Sequence, residues 1–433
     1  MKDFLLKTWN LNRYIVSDDF NKTLDTINER LPLIYHKYPS GKQYFDWTIP
    51  KKWIIREAYI EDERGNKILD WKENPLHVVS GSLPINMIIN NDDLIKKVYV
   101  SDKYPDLIPY IYKFYELDWG FCMQKNKLDL LKKSSKFKVV IDSEHVDDYM
   151  YVGEHIIKGQ TDKCFIFMAH IDHPAQVNDD LAGAAVLLKL AEELKDSNPY
   201  YTLRFLFLPE IIGSIAYISE NYEEIDKIVG GIFCEMPGTP NFPLVLQYSK
   251  FENTIIDRVA RYAIKKHEKG VIFANCFEHV VNDDVFYNSP GIDIPCISIS
   301  RSKKLEIGDW YHFPFYHTSG DNLENINLSQ MEISLLVLKE ILSILNLDKV
   351  IYKNYKGVPH LSRHNLWVDF KTNPLIAGNI HKILHSMDDG KTIFDISEKE
   401  NLDFMAVHEF IYKLKEKDLV ELKSTENLWV KKF

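Results

Sequence analysis

At about 150 residues per domain, a chain of 433 residues predicts about three domains, and its 45 % hydrophobic content excludes a disordered or fibrous polypeptide. The balance of 53 basic against 63 acidic residues leaves a net charge of −10, which supplies no overall positive field for a polyanion. Nucleic acid and anionic membrane are therefore not expected as partners. The five cysteines, Cys122, Cys164, Cys234, Cys276 and Cys296, are odd in number, scattered and without a C-x-x-C. That pattern fits neither a disulfide framework nor a cysteine zinc knuckle, and it predicts a reducing, cytoplasmic setting. Charges interrupt the apolar residues of the N-terminus, and no run of about 18 apolar residues occurs, so neither an export signal nor a membrane span is expected.

In chain order, Leu24, Ile27 and Leu31 at helical spacing behind Ser17 and Asp18 predict an opening amphipathic helix over residues 17–31. Between Tyr38 and Tyr115, short runs rich in Tyr, Trp, Ile and Val alternate with Pro- and Gly-containing turns, the pattern of a small inserted β-rich domain. From Phe137 onward the pattern alternates. Strand-like runs at 138–141, 164–169, 203–208, 229–233 and 294–299 are interleaved with helical ones at 182–194, 214–221, 254–267 and 329–345. Such alternation predicts a three-layer α/β/α core with a mostly parallel mixed sheet, assembled from residues 1–37 and 116–350 around the insert at 38–115. After Asn365 come helical runs at 376–386, 392–400 and 404–418, then a hairpin of 419–423 against 428–432. These read as a C-terminal winged helix-turn-helix over 365–433. Its recognition helix interleaves Lys413, Lys415 and Lys417 with Glu409, Glu416 and Asp418, so a protein partner or self-association is expected there rather than DNA.

In an open α/β sheet, ligands bind beyond the carboxyl ends of the strands. Four places of that kind carry polar residues: His170-Ile-Asp172-His173 with Asn178-Asp179-Asp180, then Glu210-Ile-Ile-Gly213, then Cys234-Glu235, and last His317-Thr-Ser-Gly-Asp321. Imidazoles and carboxylates from separate strand ends form a set that Zn²⁺ accepts. Taken singly, each has another reading: Asp179 or Asp180 caps the following helix, and Glu210 or Glu235 faces a helix dipole. His312, in Tyr311-His312-Phe313-Pro314, is a rival to His317 for the last of these places.

The order of these motifs resembles the zinc aminopeptidases of the bacterial leucyl-aminopeptidase type, with their H-x-D, D-N-x-S/A-G, E-E-x-G, strand-end acid and distal His. Nearly the whole chain is similar to a narrower group, the bacterial aminopeptidase-like proteins encoded among polysaccharide-biosynthesis genes, in tracts such as Pro39-Ser-Gly-Lys-Gln-Tyr-Phe-Asp-Trp47, Leu76-His-Val-Val-Ser80 and Asp118-Trp-Gly-Phe-Cys122. The resemblance implies zinc, one or two ions, on His170, Asp179, Glu235 and His317, with Asp179 shared if there are two. It makes Asp172 the residue that orients His170, Glu210 the general base, and Asp284 and Arg301 substrate contacts. The departure is Ile211, where the wider family has a second, ligating glutamate; an isoleucine side chain has no donor, so one metal position lacks a ligand, and either the site holds one zinc or Glu210 itself turns to ligate. The implied activity is hydrolysis of an amide bond in a small peptide-like substrate. The alternatives are a deacylase of a polysaccharide precursor and a scaffold that has lost catalysis.

Overall fold

The structure is a computed structural model that describes residues 1–306 and 311–426. Two compact units divide it, one of residues 1–257 and 264–337, the other of 258–263 and the described part of 338–433.

The first unit is organised by an eight-stranded mixed sheet. From edge to edge its strands are Ile34–Pro39, Tyr149–Ile157, Thr202–Leu208, Cys164–His170, Ile228–Glu235, Cys296–Arg301, Leu244–Gln247 and Ile272–Ala274. The four central strands pair in parallel, so their carboxyl ends emerge on one side. Cys164-Phe-Ile-Phe-Met-Ala-His170 is buried along its whole length, as a strand covered on both faces must be, and its unbroken apolar run follows from that position. Helices Gly183–Leu194, Ile212–Glu220 and Ile255–His267 begin within a residue or two of their predicted starts. For the last of these, Thr254 and Asp257 form a reciprocal capping box. The helix expected over 17–31 is Asp18–Asn28, with Ser17 accepting from the Phe20 N–H, but it does not open the chain, because helix Lys2–Thr8 precedes it.

Two assignments differ from the sequence reading. The run at 138–141 lies in Lys136–Val146, which does not enter the large sheet. It pairs antiparallel with Lys52–Asp62 and Ile85–Asn90 in a separate four-stranded sheet. Its exposed Lys136, Lys138 and Asp142 show one face turned outward, whereas a strand of the large sheet's centre is buried on both faces. The small sheet therefore reaches past residue 115. Its core is built around Trp53, Phe121, Phe137 and Ile141, with Tyr14 edge-on to Trp53 at 5.4 Å. The second difference is Val420–Lys423, which pairs antiparallel with Val350–Lys353; the predicted partner at 428–432 lies outside the described residues.

The insert also reaches the carboxyl-end side of the large sheet. Residues 108–110 run beside 317–319 through Tyr110 N–H to His317 O (2.8 Å), Ser319 N–H to Ile108 O (2.8 Å) and Ile108 N–H to Ser319 Oγ (3.0 Å).

The second unit contains helices Pro374–Ser386, Ile393–Glu400 and Phe404–Lys415, packed through Ile380, Ile383, Phe394, Phe404 and Ile411. Asp348 is buried here, and its Oδ1 accepts from the Phe394 N–H at 2.9 Å. Burial raises the carboxyl to about 7, although that hydrogen bond favours its charged form. The folded state thus holds a proton that the unfolded chain has already released. The stability contributed by Asp348 is complete below the ordinary carboxylate range and is lost as pH rises through about 7. Asp348→Asn keeps the accepting oxygen and removes the titration. It is expected to raise the melting temperature relative to wild type more at pH 8 than at pH 5, and an equal change at both would contradict the assignment.

Candidate metal centre

The side chains with the least satisfied chemistry converge where the central strands end. His170 is the last residue of Cys164–His170 and Glu235 the last of Ile228–Glu235. Glu210 lies two residues beyond Thr202–Leu208. Asp179 occupies the turn before helix Gly183–Leu194, where its peptide bond to Asp180 is cis. His317 stands on the loop held against residues 108–110.

Asp179 is the centre of the arrangement. Its Oδ1 lies 3.2 Å from His170 Nε2, and that nitrogen lies 3.9 Å from Glu235 Oε1. Its Oδ2 faces the other way, 2.9 Å from His317 Nε2 and 3.3 Å from His173 Nδ1. Both imidazole nitrogens of His170, both carboxylate oxygens of Asp179, His173 Nδ1 and Glu235 Oε2 are buried without a hydrogen-bond partner. Orphaned polar atoms of this kind are costly unless something charged sits among them. Donors on one tetrahedral ion with bonds of ~2.1 Å lie about 3.4 Å apart, close to the separations here, so the residues fit a zinc ion.

Several contacts hold these donors in place. Asp172 Oδ1 accepts from the Glu210 N–H at 2.8 Å, holding that backbone, and faces His170 Nδ1 at 3.5 Å. Asp321 accepts from the N–H groups of Asn178 (2.8 Å) and Asp179 (3.0 Å), fixing the turn that aims Asp179. Arg13, wholly buried, donates to the carbonyls of Ile171 (2.9 Å), His173 and Gln176 (2.8 Å) and so clamps the loop after His170. Burial lowers its guanidinium to about 10.

Glu210 sits on a strained corner. Ile211 has φ 64° and ψ −66°, and the Ile212 N–H donates to the Glu210 carbonyl at 2.6 Å, which is a γ-turn centred on a β-branched residue. Asp283 anchors it, its Oδ1 accepting from the Ile211 N–H (3.0 Å) and from Ser214 Oγ (2.5 Å). The Glu210 carboxylate lies 3.1 Å from His173 Nε2. Burial opposes its charge, but His173 beside it prevails and holds the carboxyl down at about 2, whereas burial pushes Glu235 up to about 6. A cavity of about 580 Å³ opens at Glu210 and His317, walled by Trp47, Tyr110, Tyr112, Phe114 and Ile211.

The structure brings His170, Asp172, Asp179, Glu210, Glu235 and His317 together, but not the two expected substrate contacts. Arg301 is buried and gives its guanidinium to Glu268 at 2.9 and 2.6 Å, and Asp284 accepts from Gln247 Nε2 at 2.9 Å; neither lines the cavity. His312 lies beside His279, with ring centroids 5.5 Å apart. Sequence reasoning assigns no role to His173 or Arg13, and Asp283, beside the expected contact Asp284, anchors the Glu210–Ile211 corner. For His173 a signal existed: a motif that loses a donor at Ile211 calls for another, and His173 follows the same strand end as His170.

The chain belongs to the family described as Domain of unknown function (DUF4910), whose model matches residues 2–348. It is 31 % identical over 399 residues, 91 % of this chain and 90 % of the relative, to a protein of Clostridium acetobutylicum named as a candidate polysaccharide biosynthesis protein with an aminopeptidase-like domain. A crystal structure of a candidate peptidase from Clostridium acetobutylicum superposes with a TM-score of 0.89 at 29 % identity, covering 97 % of this chain and 95 % of that one. A zinc aminopeptidase from Bacillus subtilis shares the fold with a TM-score of 0.58 at 15 % identity over 78 % of this chain and 93 % of its own. The architecture is that of the M28-type aminopeptidases, and among the described residues no helix is long and apolar enough to cross a membrane.

Proposed function

We propose that this protein is a zinc-dependent hydrolase that cleaves an amide bond of a small substrate. The observation that carries the reading is the convergence of buried, unpartnered His, Asp and Glu donors beside a carboxylate that opens onto a cavity. His170, Asp179, Glu235 and His317 would hold the metal, which when bound acidifies water and polarises the amide carbonyl.

The remaining work falls to the chain. Glu210, just beyond the end of Thr202–Leu208 and opening onto the cavity, takes the proton of the attacking water and returns it to the departing amine. Asp172 and Asp283 hold the Glu210–Ile211 backbone by its two N–H groups, so the carboxylate does not have to find its position at each turnover. The cavity walls, mainly aromatic and aliphatic, displace water from the substrate's non-reacting part. Deacylation of a polysaccharide precursor is the second reading, favoured by the Clostridium relative's name and by exposed rings such as Tyr112 and Tyr115 on which a sugar could stack. A scaffold without catalysis is disfavoured, since it needs no unpartnered donors in its interior.

The test is hydrolysis of matched aminoacyl amides and N-acyl amino sugars by zinc-loaded and chelator-treated protein. Zinc-dependent release from the first set supports a peptidase and from the second a deacylase; release from neither contradicts the proposal.

A further inference from the structure

The resemblance leaves one metal position short of a donor at Ile211, and the fold supplies an unassigned donor at that place. The side chain of Ile211 lines the apolar cavity. His173, 1 % exposed, points its Nδ1 at the same Asp179 oxygen that His317 Nε2 approaches, at 3.3 and 2.9 Å. Ligand atoms of His173, Asp179 and His317 all lie within 4.8 Å of one another, as do those of His170, Asp179 and Glu235. The two triplets share only Asp179, which turns one oxygen to each.

We infer that the protein binds two metal ions, one on His170, Asp179 and Glu235 and the other on His173, Asp179 and His317, with His173 standing in for the donor missing at Ile211. This rests on the metal-hydrolase reading above. His173 Nδ1 has no hydrogen-bond partner, while its Nε2 lies 3.1 Å from Glu210, the arrangement of a ligating histidine whose other nitrogen is held by a carboxylate. The Arg13 clamp on the Ile171, His173 and Gln176 carbonyls fixes the backbone beneath the ring. Two imidazoles and one carboxylate form a set that zinc enzymes use for catalysis. The exchange of glutamate for histidine also removes one negative charge from a site already crowded with carboxylates.

The experiment measures zinc per chain in the full-length protein after loading and exhaustive dialysis, with a thermal melt on every variant to confirm folding. Wild type is expected to retain two ions, and His173→Ala and the similarly sized His173→Gln one each. Returning a donor to the neighbouring turn, His173→Ala with Ile211→Glu, is expected to raise the count toward two. Zinc-edge scattering from crystals of His173→Ala would then show the remaining ion on the His170 side. Wild type that retains only one ion, or folded His173 variants that keep two, overturns the assignment of His173 while leaving a metal-dependent hydrolase standing. Wild type that retains none overturns both.

Discussion

Replacing Glu210 by Gln is expected to lower amide turnover by about 10²–10⁴-fold, the usual contribution of a general base, with the zinc content unchanged. Gln preserves the volume of the side chain and still offers an oxygen to His173 Nε2, now 3.1 Å from the carboxylate, so the cluster is left standing. The loss should fall mainly on kcat, because Glu210 acts on the proton transferred in the reaction rather than on the substrate's apolar part. A Glu210→Gln protein that loses zinc would make Glu210 a ligand, and the base would have to be sought elsewhere.

The largest expected effect on stability comes from a methyl group. Gly183 opens helix Gly183–Leu194, and a Cβ there would overlap the Cys234 carbonyl oxygen and approach Asp180 Oδ1 to 2.5 Å. Cys234 lies in a central strand and Asp180 is tied to the Met236 N–H at 2.9 Å, so neither can retreat without moving the backbone that carries Glu235 or Asp179. Gly183→Ala is therefore expected to cost about 3 kcal/mol, at the upper end of ordinary overpacking, and to reduce zinc retention as well. A melting temperature within about 1 °C of wild type would show that the helix start relaxes more freely than its contacts imply.

Much of this site was legible because parallel strands announce themselves. Runs such as Phe165-Ile-Phe-Met-Ala, buried on both faces, mark central strands, and the polar residues that follow them fall together because parallel strands end on one side. His170, Glu210 and Glu235 could be read in this way. The misassigned strand at 136–146 has the opposite cause: a short apolar run shows that a strand exists but not which sheet its edges will join. Arg301 and Asp284 were plausible as substrate contacts by position after a strand or near a helix start, but their partners, Glu268 and Gln247, lie 33 and 37 residues away. Arg13 was illegible for the same reason: its acceptors at the site are carbonyls some 160 residues distant, and a carbonyl carries no side-chain signature.

The donors gathered around Asp179 are expected to bind metal. The most direct test is anomalous scattering at the zinc edge from zinc-replete crystals of the full-length protein. Strong anomalous density is expected on both sides of the Asp179 carboxylate, between it and His170 with Glu235, and between it and His173 with His317. Density confined to surface sites, with none beside Asp179, would contradict it.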